Sequence, residues 1–266
     1  AEFSFDAGEL DATEISLDSL ERYESDPDVG VEILDTLRYH WLGFNVQHEP
    51  FDDVRVREAV RLVVDVDEIL AGAYNNVPNR ANTLLAPSIL GFWEDAPEYQ
   101  PDLEAGYEDG FSTTIVTDGV QEHQLSAAIV QQQLARAGIE ANIQIVQDMY
   151  DSLGKGDIPG LHYASFSAVL DPGYWFSWYT CDQVGDWNYW KWCNEEYDTL
   201  KEEAERTADP EEREEAYVRM QQILDEEVPA IWVTNGAQVY VYRQNQLDPA
   251  FLAMYAQYHF FDKLDE

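Results

Sequence analysis

Apolar residues recur at helical spacing in several stretches of the chain and alternate or cluster as β-branched runs in others, and the two kinds of segment interleave. Across Phe51–Leu70, Val56, Val60 and Val63 fall on one face with Ala59 beside them, and Asp52 and Asp53 stand ahead as N-cap candidates, which predicts a helix. Ser112–Thr117 is a short β-branched run. A helical stretch, Glu122–Ala137, follows it and stops at Gly138, and Ala141–Gln147 then alternates with Ile143 and Ile145 on one face. Strand, helix and strand in that order predict a βαβ unit, hence a parallel pair with a right-handed crossover. Two more helices are expected over Glu195–Thr207 and Pro210–Glu227. The second has Asp209 as N-cap, Pro210 at its first position, Glu212 placed to close a capping box, and Tyr217, Met220 and Leu224 as its buried stripe. Pro229 ends it. Ala230–Thr234 and Gln238–Arg243 read as strands joined by Asn235-Gly236, the sequence of a tight hairpin turn. The class is α/β to α+β, with no internal repeat and no Gly/Ser linker.

Composition narrows the partners. The 266 residues, enough for one large domain or two smaller ones, carry 53 Asp+Glu against 15 Lys+Arg, a formal charge of −38. Nucleic acid and anionic membrane surfaces are excluded as main partners, because both are bound by basic surfaces. The acids are spread along the chain, densest at Asp102–Asp109 and Asp209–Glu215, and interleave with apolar residues; 45% hydrophobic content excludes a disordered polyanion. The only lysines are Lys155, Lys191, Lys201 and Lys263. Self-repulsion on this scale is screened at the ~3 Å Debye length of molar salt, so the composition fits a protein of a salt-saturated environment. No run of about 18 apolar residues is present to span a bilayer as a helix. The first residues lack a basic segment followed by an apolar stretch, so no signal peptide is expected there, and Ala1–Asp6 reads like the interior of a longer chain.

Candidate chemistry is sparse. His40, His48, His123, His162 and His259 lack metal-ligand spacing, and a lone histidine is usually structural. No GxSxG, P-loop, dinucleotide or EF-hand motif occurs, and among so many carboxylates no single pair identifies a glycosidase acid and base. Cys181 and Cys193 have two readings, free buried thiols inside a cell or a disulfide in an exported protein; a zinc site would need two further ligands, and none is placed nearby. Between Phe166 and Trp192 lie Phe166, Tyr174, Trp175, Phe176, Trp178, Tyr179, Trp187, Tyr189, Trp190 and Trp192, and Asp171-Pro172-Gly173 reads as a turn before the first cluster. Most such rings make a core, while some are candidates to face a ligand cleft.

Several blocks together resemble the C-terminal half of the peptide-type, family 5 extracellular solute-binding proteins of ABC importers. Leu42–Val46 with Phe51–Asp67 (LGFNV…PFDDVRVREAVRLVVDVD) is similar to the family's FN…PFDD.RVR.A stretch. Leu170–Trp178 running to Asn194–Ala204 resembles its DP…F…N..YD.L..EA block, Asp209–Pro229 its D…R…Y…Q.IL.EE.P helix, and Gly8–Ile15 its GE.D element. Members are about twice this length. The resemblance implies an α/β type II periplasmic-binding-protein-like lobe, a mixed sheet flanked by helices, together with remnants of the other lobe. Residues 1–41 would belong to lobe I, 42–235 to the substrate-binding lobe II, and 236–266 to the return into lobe I. Tyr39–Val46 and Ala230–Val241 would be the crossing segments, with Phe44, Asn45, Thr234 and Asn235 at the hinge.

The implied activity is capture of a peptide or similar small solute between two lobes for delivery to a membrane ABC permease. It needs no cofactor, metal or catalytic residue, and would be exercised by a monomer on the extracellular face or in the periplasm, lipid-anchored in the full-length protein. Phe166, Ala168, Asp171, Tyr174, Trp175 and Trp190 are the expected ligand-binding residues. One departure matters: the family's peptide binders hold the ligand's amino terminus with an Asp four residues before the Pro of the DP element, and Ala168 occupies that position. An oligosaccharide stacked on Tyr174 or Trp175 is therefore an alternative ligand, a sensory module on the same fold an alternative role, and a secreted glycoside hydrolase the alternative from another class.

Overall fold

A computed structural model describes residues 1–102, 110–156, 158–244 and 246. The run 103–109, which holds most of the acidic patch Asp102–Asp109, lies outside the described residues, as do Asp157 and nearly all of the expected return segment beyond 244, with His259 and Lys263.

The βαβ unit is present. β4 (Phe111–Thr117) and β5 (Ile139–Ile145) run parallel in register from Phe111↔Ile139 to Thr117↔Ile145, and α5 (Gln121–Arg136) joins them. Gly138, at φ +79°, lets the chain leave the helix and start β5 two residues earlier than its alternation suggested. β4 also pairs in parallel with β6 (Leu161–Ser167), which runs antiparallel to β3 (Arg38–Phe44), itself antiparallel to β7 (Ala230–Thr234). The result is a five-stranded mixed sheet of order β5-β4-β6-β3-β7.

β3 is paired on both edges, and every residue after Arg38 is buried. Its side chains alternate between two cores, as the pleat requires. Tyr39 and Trp41 face one that holds the aromatic segment with α8 (Glu195–Arg206) and α9 (Pro210–Glu227). Leu42 and Phe44 face the other, with α3 (Val54–Val63), α4 (Val66–Tyr74) and α5. A mixed sheet with helices on both faces is the expected fold class.

The expected helix over Phe51–Leu70 is two helices. Asp53 caps α3 by accepting from the Arg55 amide at 2.9 Å, and Val56, Val60 and Val63 are buried as the spacing required. Val64 is extended at ψ 114°, and Asp65 caps α4 by accepting from the Glu68 amide at 3.1 Å. The second cap restarts the helix inside a hydrophobic pattern that continues unbroken. In α9 the capping box is not closed. Asp209 accepts from the Glu211 amide, while the Glu212 carboxylate takes the Thr207 hydroxyl instead.

Asn235-Gly236 does not make a hairpin either. β7 belongs to the large sheet, whereas β8 (Ala237–Arg243) is the middle strand of a second sheet, between β1 (Ala12–Ile15) and β2 (Val29–Asp35), all antiparallel. The dipeptide carries the chain from one sheet to the other. Thr36-Leu37, between β2 and β3, does the same in the opposite direction. The two crossings are tied together: the Thr36 hydroxyl donates to the Asn235 carbonyl at 2.8 Å and the Thr36 amide to the Gly236 carbonyl at 3.4 Å. Gly236 has φ +71°, and a Cβ there would lie 3.1 Å from Thr36 Oγ1, so the site admits a glycine.

The four residues expected at the hinge fall in two places. Thr234 and Asn235 stand at a crossing, but Phe44 and Asn45 lie at the opposite end of β3. There the Phe44 amide bonds to the Pro229 carbonyl and the Asn45 amide to that of Gly160. The large sheet thus takes in the chain from Arg38, earlier than the expected boundary at 42. The smaller sheet has a core of its own, with Phe5, Ile15, Tyr23, Val29, Val239 and Val241.

Candidate functional site

The two sheets enclose a cavity of about 1040 Å³ beside the crossings. Its walls come from β1, from Thr36–Arg38 and His40, from Tyr74 at the end of α4, from Val120, Glu122 and His123 at the start of α5, from Ser165 and Ser167–Asp171, and from Gly236–Val239. β6 explains which residues of its segment arrive there. Ser165 and Ser167 project into the cavity, while Phe166 between them points to the other face and packs on Tyr39, Tyr174 and Trp178.

Of the expected ligand residues, Ala168 and Asp171 line the cavity; Phe166, Tyr174, Trp175 and Trp190 do not. Trp175 is fully buried, stacked on Tyr39 at 5.1 Å, and its indole N–H donates to the Val169 carbonyl at 2.7 Å. Trp190 is buried against Tyr179 with ring centroids 4.1 Å apart. Tyr174 is half-buried against Phe166 and Trp178. The aromatic segment is a core behind the cavity wall. Cys181 and Cys193 are joined as a disulfide within it, Cα–Cα 4.6 Å. Asp171 is not part of a free turn but the N-cap of a short helix, α7 (Pro172–Phe176). It accepts from the Gly173 amide at 2.8 Å and pairs with Arg213 at 3.4 Å, so its carboxylate is already engaged.

The polar floor was not anticipated as a unit. His123 Nδ1 lies 2.8 Å from Asp118 Oδ1, and its Nε2 lies 3.1 Å from Ser165 Oγ. An ionised Asp118 accepts only, so Nδ1 carries a proton and donates to it. Burial opposes the charge on Asp118, but hydrogen bonds from His123 and the Val120 amide hold its carboxyl below the usual range. His40, 5.5 Å from His123 ring to ring, has Nδ1 3.0 Å from the Tyr74 hydroxyl, which in turn lies 3.1 Å from that of Tyr163. The order Asp118–His123–Ser165 is that of a hydrolase relay, but here the serine sits inside a paired strand, opposite His40, where the chain of hydrogen bonds ties α5 to β6. Sequence offered only isolated histidines; the available signal was the alternation of Ser165, Phe166 and Ser167, small polar residues on one face of a strand and an aromatic on the other.

Two buried histidines, His40 of this floor and His162 on β6 outside the cavity wall, make stability depend on pH. Burial, with Lys191 adding to it, pushes His162 down to about 3, and burial with His123 and Arg38 nearby pushes His40 well below its ordinary value. Below about pH 6.5 the unfolded chain therefore takes up protons that the folded chain refuses, and stability falls as pH falls. His162 alone is expected to cost about 2 kcal/mol between pH 7 and pH 5, with His40 acting in the same direction. Urea unfolding at constant molar KCl checks this, and His162→Leu should flatten the dependence; an unchanged slope in that variant would refute the assignment.

Comparison with known proteins places this geometry in context. The family model described as "Bacterial extracellular solute-binding proteins, family 5 Middle" matches residues 2–186. The di/tripeptide-binding protein 1 of Pseudomonas aeruginosa strain UCBPP-PA14 is 30% identical over 227 residues, 79% of this chain and 42% of that protein. The dipeptide-binding protein of Escherichia coli K12 is 27% identical over 235 residues, 81% of this chain and 43% of that one. Among solved structures, the periplasmic binding protein DppA of Helicobacter pylori, in complex with the peptide STSA, superposes with a TM-score of 0.86. It is 22% identical, with 98% of this chain and 54% of that one covered. The chain spans less than half the length of these two curated relatives.

Proposed function

Since the chain belongs to family 5 of the bacterial extracellular solute-binding proteins, we propose that it is part of the solute-binding component of an ABC importer, taking a peptide or similar small solute into the cavity between its two sheets and delivering it to a membrane permease. The cavity of about 1040 Å³ at the paired crossings carries this reading, since a polar-floored cleft beside two chain crossings suits capture by closure. Closure would turn on Thr36-Leu37 and Asn235-Gly236, and the ligand would favour the closed form by its differential affinity for it. The work is binding and release without covalent chemistry. The setting is the extracellular face of the membrane or the periplasm, with a lipid anchor on the full-length protein, which acts as a monomer in a high-salt environment.

Peptides stand ahead of oligosaccharides, because Tyr174 and Trp175, the rings on which a sugar would stack, are absent from the cavity wall. The ligands named for the two relatives above, di- and tripeptides, agree with that order. The test is thermal unfolding of the full-length protein in molar KCl with di- and oligopeptides against oligosaccharides, followed by product analysis. A peptide at one hundred times its Kd should add about 2.7 kcal/mol of stability and be recovered intact. Stabilisation by oligosaccharides alone would replace the ligand class, and cleavage products would replace the role.

A further inference from the structure

We propose that Arg38 is an anion anchor of the cavity, so that the solute is gripped by a carboxylate rather than by an amine. The proposal deepens the solute-binding reading and rests on it. Arg38 is the first residue of β3, directly after the Thr36-Leu37 crossing, and lines the cavity. Among the described residues its side chain makes one hydrogen bond, from Nε to Ser167 Oγ at 3.3 Å, and no ion pair. In a chain of 53 acids and 15 basic side chains that is an exception. Other cations are taken up by carboxylates, as Arg61 is by Asp225 and Arg80 by Asp67, or by backbone carbonyls, as Arg57, Lys191 and Arg243 are.

The acids that share the cavity wall do not neutralise Arg38. Asp171 is engaged by Arg213 and the Gly173 amide, Glu14 accepts from Gln238 at 3.0 Å, and Glu122 forms no ion pair with Arg38. Ala168, which also lines the cavity and whose amide bonds to the Leu37 carbonyl at 2.9 Å, adds no carboxylate to that wall. The guanidinium keeps its Nη donors for a planar anion in bidentate geometry. Two further groups complete the receptor. The Ser167 hydroxyl stands beside Nε. His40, 6% exposed, has its Nδ1 engaged by Tyr74 and its Nε2 without a partner among the described residues, directed towards Gly236 on the cavity wall.

The experiment uses the full-length protein and a randomised tripeptide mixture in three end forms: free, N-acetylated and C-amidated. Retained peptides are measured by mass spectrometry and the pools titrated for apparent Kd at one salt concentration. The free and N-acetylated forms should bind within about threefold of each other, and the amidated form about ten- to a hundredfold more weakly. Arg38→Gln should erase that difference. Amidated peptides binding as well as the free form, or Arg38→Gln keeping the preference, would overturn the anchor while leaving peptide capture standing. Retention of none of the three forms would overturn both.

Discussion

Moved from 3 M to 0.05 M KCl at 25 °C and neutral pH, the protein is expected to lose its fold. The formal charge of −38 is an excess of carboxylates that no internal pairing can remove. At 10 Å two like charges in water repel by about 0.4 kcal/mol unscreened, and dozens of such pairs sum to more than the ~5–15 kcal/mol by which a domain is stable. The Debye length shrinks to about 3 Å or less in molar salt, which leaves only contacts in play. The ion pairs of the structure do little to offset the excess. Lys155–Asp151 and Arg206–Glu202 are solvent-exposed pairs one helical turn apart, the kind worth about 0.3–0.5 kcal/mol. Like charges also sit one turn apart, Glu211 and Glu215 at the start of α9 among them. Far-UV circular dichroism during a KCl titration reads the effect, as a cooperative loss of helix on dilution that reverses when salt is restored. A melting temperature flat across that range would overturn the link between composition and a saline setting.

How much of this was readable beforehand depended on whether the signal was local. The βαβ unit was, because a β-branched run, a helical period and a glycine stop each declare themselves within a few residues. Asn235-Gly236 failed for the complementary reason. Its local chemistry is that of a hairpin, but β7 takes its partner from residues near 40 and β8 from the first thirty-five, and nothing in the dipeptide reveals pairing at that range. Asp65 was hidden by a valine pattern that runs through it, although its own cap chemistry was visible. At the site, the density of rings between Phe166 and Trp192 drew attention to a segment that is mostly core. The cavity floor, by contrast, joins His40, Tyr74, His123 and Ser165 from four separate elements. The family blocks were recognisable as strings while their physical purpose was not, and RVR in Val54–Val63 shows the difference.

Its two arginines should behave as opposites. Arg55 is a surface residue, its side chain 83% exposed, paired with Asp53 at the start of its own helix, and Arg55→Met is expected to change stability by no more than about 0.5 kcal/mol. Arg57 is buried, and its guanidinium donates to the carbonyls of Phe51 at 2.7 Å, Glu227 at 3.0 and 2.5 Å, and Val228 at 3.0 Å. The last carbonyls of a helix have no donors within it, and α9 ends here with Val228 at φ +48°, a left-handed residue that is not glycine. A cation in that position also meets the negative end of the helix dipole. Arg57 thereby clamps α3 to the end of α9 two residues before β7 begins, and β7 leads straight to the Asn235-Gly236 crossing that borders the cavity. Arg57→Met keeps the stem but leaves these buried carbonyls without donors, at an expected cost of about 3–5 kcal/mol in urea unfolding at constant KCl. Arg57→Lys restores the charge without the fork and should fall between the two. If Arg57→Met cost no more than Arg55→Met, the clamp would be ornamental, and the position of β7 would have to come from the apolar packing of Ile231 and Val233 alone.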